Sequence, residues 1–394
     1  MAEPRPAASS RRWWNDERAR GILYQLLLLL GVAGLGWFLV GNTLRNLEQR
    51  HIATGLGFLD REAAFGISEH VIAYSPTDSY LRALVVGLLN TLEISVLGIV
   101  LATLLGVVMG IARLSSNWLL ARLATVYVET TRNIPLLLQL FFWYQLITEG
   151  LPVPRQAFDI FGVVFLSNRG LKVPAPLWDG PMLAVTLAFA VAVPASIVLT
   201  GWAGRRQEAT GRRFPTGRVG AGLIIGLPLL AFLGGGAHLR IDLPHLTGFN
   251  FSGGATLSPE FAALLVGLVV YTGAFVAEIV RGGILAVPHG QTEAALSLGL
   301  SRLQVLRLVL LPQSLRVITP PLTSQYLNLT KNSTLAVAIG YPDLVSVANT
   351  AINQTGQAVE GVSIIMVVYL TISLALSSFM NWYNRQVALK GGAG

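Results

Sequence analysis

The chain contains no cysteine. Disulfides, thiolate-held metals, iron–sulfur clusters and cysteine nucleophiles are therefore excluded. Lysine is almost as scarce: Lys172, Lys331 and Lys390 follow Leu171, Thr330 and Leu389. A phosphate-binding Walker loop needs Gly directly before its Lys and Ser or Thr after it, so this chain is not its own P-loop ATPase. The Gly-x-Ser-x-Gly and His-Glu-x-x-His signatures of hydrolases are missing as well. His51, His70, His238, His245 and His289 lack metal-ligand spacing, and no metal is expected. Charge is thin too. Asp, Glu, Lys and Arg make up 12% of the 394 residues, against ~25% in soluble domains.

What is abundant is apolar sequence, at 53%. Several runs reach or approach the ~20 residues that cross the hydrocarbon core of a bilayer. We read an all-α polytopic membrane protein of about eight transmembrane helices. They cover 22–41, 83–112, 119–148 (broken near Pro135), 181–201, 219–236 (kinked at Pro228), 259–281, 313–338 and 361–383. The seventh holds Pro320, Pro321, Asn328 and Lys331, and hydropathy alone would not select it. The first follows Arg5, Arg11, Arg12, Arg18 and Arg20, is too long for a signal-peptide core and has no Ala-x-Ala site after it. It reads as a retained signal anchor.

The net charge of +8 does not point to nucleic acid, because the basic residues sit in short loops beside apolar runs. With the N-terminus inside, the inner segments hold 18 Lys and Arg and the outer ones 9. That bias predicts cytoplasmic N- and C-termini. It divides the chain into a tail at 1–21, the anchor at 22–41, an outer amphipathic cap at 42–80 and a first core block at 81–150. Inserted irregular loops and a helical pair follow at 151–255, then a second core block at 256–385 and a tail at 386–394.

Polar residues within the spans are the candidate functional groups. Gly87, Thr91, Ser95, Gly98, Ala102, Gly106 and Gly110 form a small-residue stripe suited to close helix packing. Beside it, Asn90, Thr91 and Glu93 are candidates for a substrate path. A carboxylate at membrane depth is costly, so Glu93 either faces that path or bonds a neighbouring helix. Gln139 and Gln145, beyond the Pro135 break, either line the path or bridge helices. Glu129 with Arg132, and Glu278 with Arg281, are Glu-x-x-Arg pairs at helical spacing that neutralise locally near an inner gate.

Residues 282–312 form a loop with a built corner. Thr292 is placed to cap a first short helix, and Gly299 suits the left-handed position that closes it. Ser301 with Gln304 forms a capping box for a second, and Pro312 marks a break.

Glu293-Ala294-Ala295, Gly299 and Leu311-Pro312 together resemble the cytoplasmic coupling loop of ABC-importer permeases. Gln291, Ser301 and Gln304 lie in the same stretch. Val287 to Gly299, Leu329 to Leu335 and Met380 to Asn384 are similar to the polar amino-acid group of that family; Thr334 replaces its frequent second Ser. The cap, the insert and Ala338-Ile-Gly-Tyr-Pro-Asp343 resemble the general L-amino-acid permeases within it. The resemblance implies a type I permease core in a bacterial inner membrane, importing L-amino acids by alternating access. It implies as partners two ABC ATPase subunits, a homologous second permease and a periplasmic amino-acid-binding protein. ATP and Mg would act on the ATPase, with no cofactor and no catalytic site on this chain. A proton-coupled secondary carrier using Glu93 or Glu278, and a non-transporting scaffold, are the rival readings.

Overall fold

A computed structural model describes residues 17–49, 54–177, 180–212, 214–235 and 240–387. Most of the expected N-terminal tail and the end of the C-terminal tail, with His51 and His238, lie outside these residues. The helices are α1 (Glu17–Gln49), α2 (Tyr80–Ala112), α3 (Trp118–Asn133), α4 (Leu136–Gly150), α5 (Gly180–Thr210), α6 (Thr216–Gly234), α7 (Pro259–Leu285), α8 (His289–Ser297), α9 (Arg302–Val305), α10 (Leu311–Asn332), α11 (Leu344–Thr355) and α12 (Ala358–Val387). Among the described residues, six helices are long and apolar enough to cross a membrane, and α9 to α11 form a further, bent candidate.

That count falls short of eight because the third span is two half-length helices. Pro135 offers no N–H, and it holds Ile134 in an extended conformation (φ −101°, ψ 126°), so α3 ends and α4 restarts after it. The insert is also more ordered than an irregular loop. Among the described residues it carries eight short strands, β1 (Phe158–Ile160), β2 (Val164–Ser167), β3 (Gly170–Val173), β4 (Ala175–Pro176), β5 (Ile241–Asp242), β6 (His245–Thr247), β7 (Asn250–Ser252) and β8 (Ala255–Leu257). Strands β1, β2, β3 and β8 make one antiparallel sheet, in that order. Pairs of three or four residues are too short to show a period of two, and β8 lies far along the chain from β3.

Helix α7 is the centre of the bundle, packed by α2, α3, α4 and α10. The small-residue stripe of α2 explains how. A Cβ at Gly110 would stand 2.7 Å from the Ala277 carbonyl oxygen, and one at Gly106 would collide with Val276. At the other end of α2, Gly87 lies against Leu344 of α11. The cap packs here: Phe58, Ala63 and Ile67 form one core with Tyr80, Leu84, Leu344 and Val347. Helices α5 and α6 pack on each other and expose apolar faces, and α1 and α12 also expose apolar residues.

Candidate functional site

The corner expected at 291–312 is present, and local hydrogen bonding fixes its angle. Helix α8 ends in a paired motif: Gly299 N–H donates to Leu296 O (2.9 Å) and Leu300 N–H to Ala295 O (3.3 Å). This closure requires Gly299 in the left-handed region, where its φ is +80°. Two residues on, Ser301 N–H donates to Gln304 Oε1 (2.8 Å) and Gln304 N–H to Ser301 Oγ (3.4 Å), completing the capping box of α9. The start of α8 differs from expectation. Pro288 is its N-cap and Thr292 lies inside it, because Pro288 already holds the extended backbone that opens a helix. The second helix differs too: α9 has four residues and runs through a π-helical turn (Leu306–Leu310) into α10. The break therefore precedes Pro312, which sits in the first turn of α10 without an N–H to give.

The elbow turns apolar side chains outward. Ala295 and Val305 are buried beneath it, whereas Leu298 is 83% exposed and Leu303 72%. Ala294 is exposed beside them, and Glu293 stands clear of the surface with His289 Nδ1 3.1 Å from its carboxylate. Gln313 Nε2 donates to Gln291 Oε1 (3.4 Å), joining the root of α8 to α10. The outcome is a knob with an apolar tip and a single carboxylate, Glu293, on its flank.

Above the knob lies an ion-pair network that differs from the two local pairs expected. Glu278 and Arg281 pair as anticipated, with Arg281 Nε and Nη2 on the two carboxylate oxygens at 3.0 and 2.6 Å. Glu129 turns away from Arg132 to Arg113 (3.1 Å), and Arg113 also donates to Glu278 (2.5 Å). Arg132 instead lies over the ring of Phe275, 5.1 Å from its centre. Arg113, at the end of α2, thus ties α2 to both α3 and α7. Nothing in the sequence pairs it with residues 16 and 165 positions away.

At the opposite end, the path candidates separate. Asn90 is buried and donates to Glu69 O (2.8 Å) and Pro342 O (2.9 Å), while Thr91 Oγ1 accepts from Leu344 N–H (3.0 Å). Both clamp the bend before α11. Gln139 is likewise engaged, donating to Thr131 O (2.9 Å) and Ile134 O (3.0 Å) across the Pro135 break. Gln145 is exposed on α4. Only Glu93 and Asn90 reach a cavity, about 620 Å³ in volume, between the cap, α2 and the start of α7. Glu69 and Glu260 line it as well, and the sequence singled out neither. Glu69 Oε1 accepts from Ser258 N–H (2.9 Å), tying the cap to the residue that caps α7. Burial pushes the Glu69 carboxyl up, against the opposing Ser258 bonds.

A central helix flanked by broken spans, with an exposed elbow at one end and an acidic cavity at the other, defines a multi-pass transport subunit. The profile described as "Binding-protein-dependent transport system inner membrane component" matches residues 217–389. The general L-amino acid transport system permease protein AapQ of Rhizobium johnstonii is 50% identical, over 97% of this chain and 95% of its own. The putative amino-acid ABC transporter permease protein YhdX of Escherichia coli K12 is 53% identical, over 99% of each. BztB of Rhodobacter capsulatus, a glutamate/glutamine/aspartate/asparagine transport system permease protein, is 44% identical over 95% of each. The chain belongs to this family of binding-protein-dependent ABC-importer permeases. Its relatives are transport permeases rather than enzymes, and the family works with an ATPase and a binding protein.

Proposed function

We propose that this permease imports L-amino acids by alternating access, and that ATPase closure reaches it through the elbow at 289–310. The observation that carries the reading is the shape of that elbow. Its angle is fixed by the Gly299 closure and the Ser301–Gln304 box, and its apolar tip is turned out, in a chain with no phosphate loop of its own. Leu298 and Leu303 would seat in a groove of the ATPase, Ala294 keeps that face slim, and Glu293 meets a basic rim. ATP and Mg belong to the ATPase. The elbow end faces the bacterial cytoplasm together with both termini, in keeping with the Lys and Arg bias.

The elbow has two attachments. Residues 286–288 join it to α7, and the π turn joins it to α10. These helices touch closely at Gly283, where a Cβ would collide with Ile318. A push on the elbow therefore moves α7 and α10 together. The Arg113–Glu278 contact carries that motion to α2, and the Glu129 contact carries it to α3. Amino-acid cargo is the reading that the names of the three relatives favour. Two ATPases and a second, homologous permease complete the assembly in this account, with Glu93 on the substrate path at the acidic cavity.

Reconstitution tests the proposal. The purified complex in liposomes, with binding protein outside and ATP inside, should accumulate radiolabelled L-amino acid only when all components are present. Accumulation by this chain alone, driven by a proton gradient, would establish the secondary carrier instead.

A further inference from the structure

The inserted strands build a second surface at the cap end of the molecule. A cavity of about 340 Å³ is lined by Val153, Pro154, Arg155, Asn168, Arg169 and Phe249. Its walls are held in place. Asn168 N–H donates to Pro152 O (2.8 Å), and Arg155 Nε donates to Gly248 O (3.3 Å) while its guanidinium lies 3.9 Å over the Phe249 ring. Stacked rings of Phe165 and Phe251, 4.6 Å apart, join the two halves of the insert beneath it.

The charges on this platform are unbalanced. Asp159 and Asp242 are both engaged by backbone, accepting from Gly162 N–H (2.7 Å) and Gly254 N–H (2.9 Å). Among the described residues neither Arg155 nor Arg169 forms an ion pair, although both border the one cavity. Two guanidiniums beside an aromatic wall, 71% exposed at Phe249, make a receptor for a carboxylate-bearing side chain.

The platform also stands at the right place for delivery. Strand β8 of the same sheet contributes Thr256 and Leu257 to the acidic cavity, and Ser258 follows directly as the cap of α7. The platform is thus joined, through the β3–β8 pairing, to the residue that caps the central helix.

We propose that the Arg155–Arg169 pocket docks an acidic side chain on the surface of the amino-acid-binding protein. This rests on the importer reading above. A partner of that charge complements two guanidiniums that form no ion pair among the described residues, and its landing would be steered by charge and weakened by salt.

The test uses the whole complex in lipid nanodiscs, with ATPase activity titrated against loaded binding protein. Arg155→Glu also removes the bond to Gly248, so Arg169→Glu is the decisive variant, because among the described residues the Arg169 side chain has no hydrogen bond or ion pair to lose. In Arg169→Glu the concentration of binding protein giving half-maximal stimulation should rise about tenfold, and its salt dependence should flatten. Arg169→Lys should stay near the unmodified value. An unchanged half-maximal concentration in Arg169→Glu, with the salt dependence intact, would overturn the docking site while leaving the importer reading standing. A rate that follows anionic-lipid content rather than binding-protein concentration would overturn it too. An unmodified complex that binding protein fails to stimulate would remove both proposals together.

Discussion

Arg113, the last residue to close α2, donates to Glu278 of α7 across 165 positions of sequence. With its side chain 10% exposed, Arg113 is the most enclosed member of a network that includes Glu129 and Arg281. The network ties α2, α3 and α7 together, and under the proposed coupling the elbow's motion would pass through it.

Replacing Arg113 with Ala leaves Glu278 with Arg281 alone and frees Glu129. Because both carboxylates are partly solvated, the cost is smaller than for a fully buried pair, about 2 kcal/mol. The expected outcome is a lower thermal midpoint in detergent together with ATP hydrolysis poorly coupled to uptake. Uptake per ATP equal to that of the unmodified complex would show that the contact transmits nothing.

Gly299→Val places a β-branched residue at φ +80°. No atom lies within 4 Å of the added Cβ, so the penalty is in the backbone rather than in a clash. Left-handed geometry costs about 1–2 kcal/mol for an L-residue, enough to open the corner. Insertion should be normal and ATPase recovery on the tagged permease reduced; equal recovery would separate Gly299 from docking.

Asn90→Ala removes a buried amide that serves two carbonyls, Glu69 O and Pro342 O. Stranding them costs about 2 kcal/mol. A lowered thermal midpoint is expected, with hydrogen exchange accelerated at residues 340–344. If exchange there were unchanged while uptake failed, Asn90 would belong to the substrate path after all.

Glu69 supplies a pH dependence. Burial raises its carboxyl above the ordinary 4.5, with the Ser258 bonds opposing and the Glu260 and Glu93 charges adding. The folded cap keeps a proton that the unfolded chain has released. Its stabilising contribution is therefore full below the ordinary value and is lost as pH rises through the raised one. Thermal midpoints measured across that interval should fall with rising pH, and Glu69→Gln should flatten the slope. A slope that persists in Glu69→Gln would assign it to another group.

The features legible in the sequence are those decided within a few residues. Gly299 and the Ser301–Gln304 box were readable because a cap is set by its own side chains, and Pro135 because it breaks a helix wherever it stands. Thr292 misled, since Pro288 opens the same helix four residues earlier. Contacts across the fold were hidden. Glu129 had a plausible partner at helical spacing in Arg132, yet the Arg113 guanidinium arriving from α2 is the one it meets. Asn90 and Gln139 are path candidates because polar groups in spans are costly, and the carbonyls that meet that cost, of Glu69 and Pro342 for Asn90 and of Thr131 and Ile134 for Gln139, could not be read from the sequence. Strands β1 to β3 and β8 escaped notice because each is only three or four residues long.

The initial rate of ATP-driven amino-acid uptake in proteoliposomes, compared between the native elbow and one carrying Leu298→Glu and Leu303→Glu, tests the central claim most directly. The account predicts uptake that needs ATP and binding protein with the native elbow, and none with the charged tip although the chain inserts normally. Uptake that proceeds at the native rate with the charged tip, or without ATP, would contradict it.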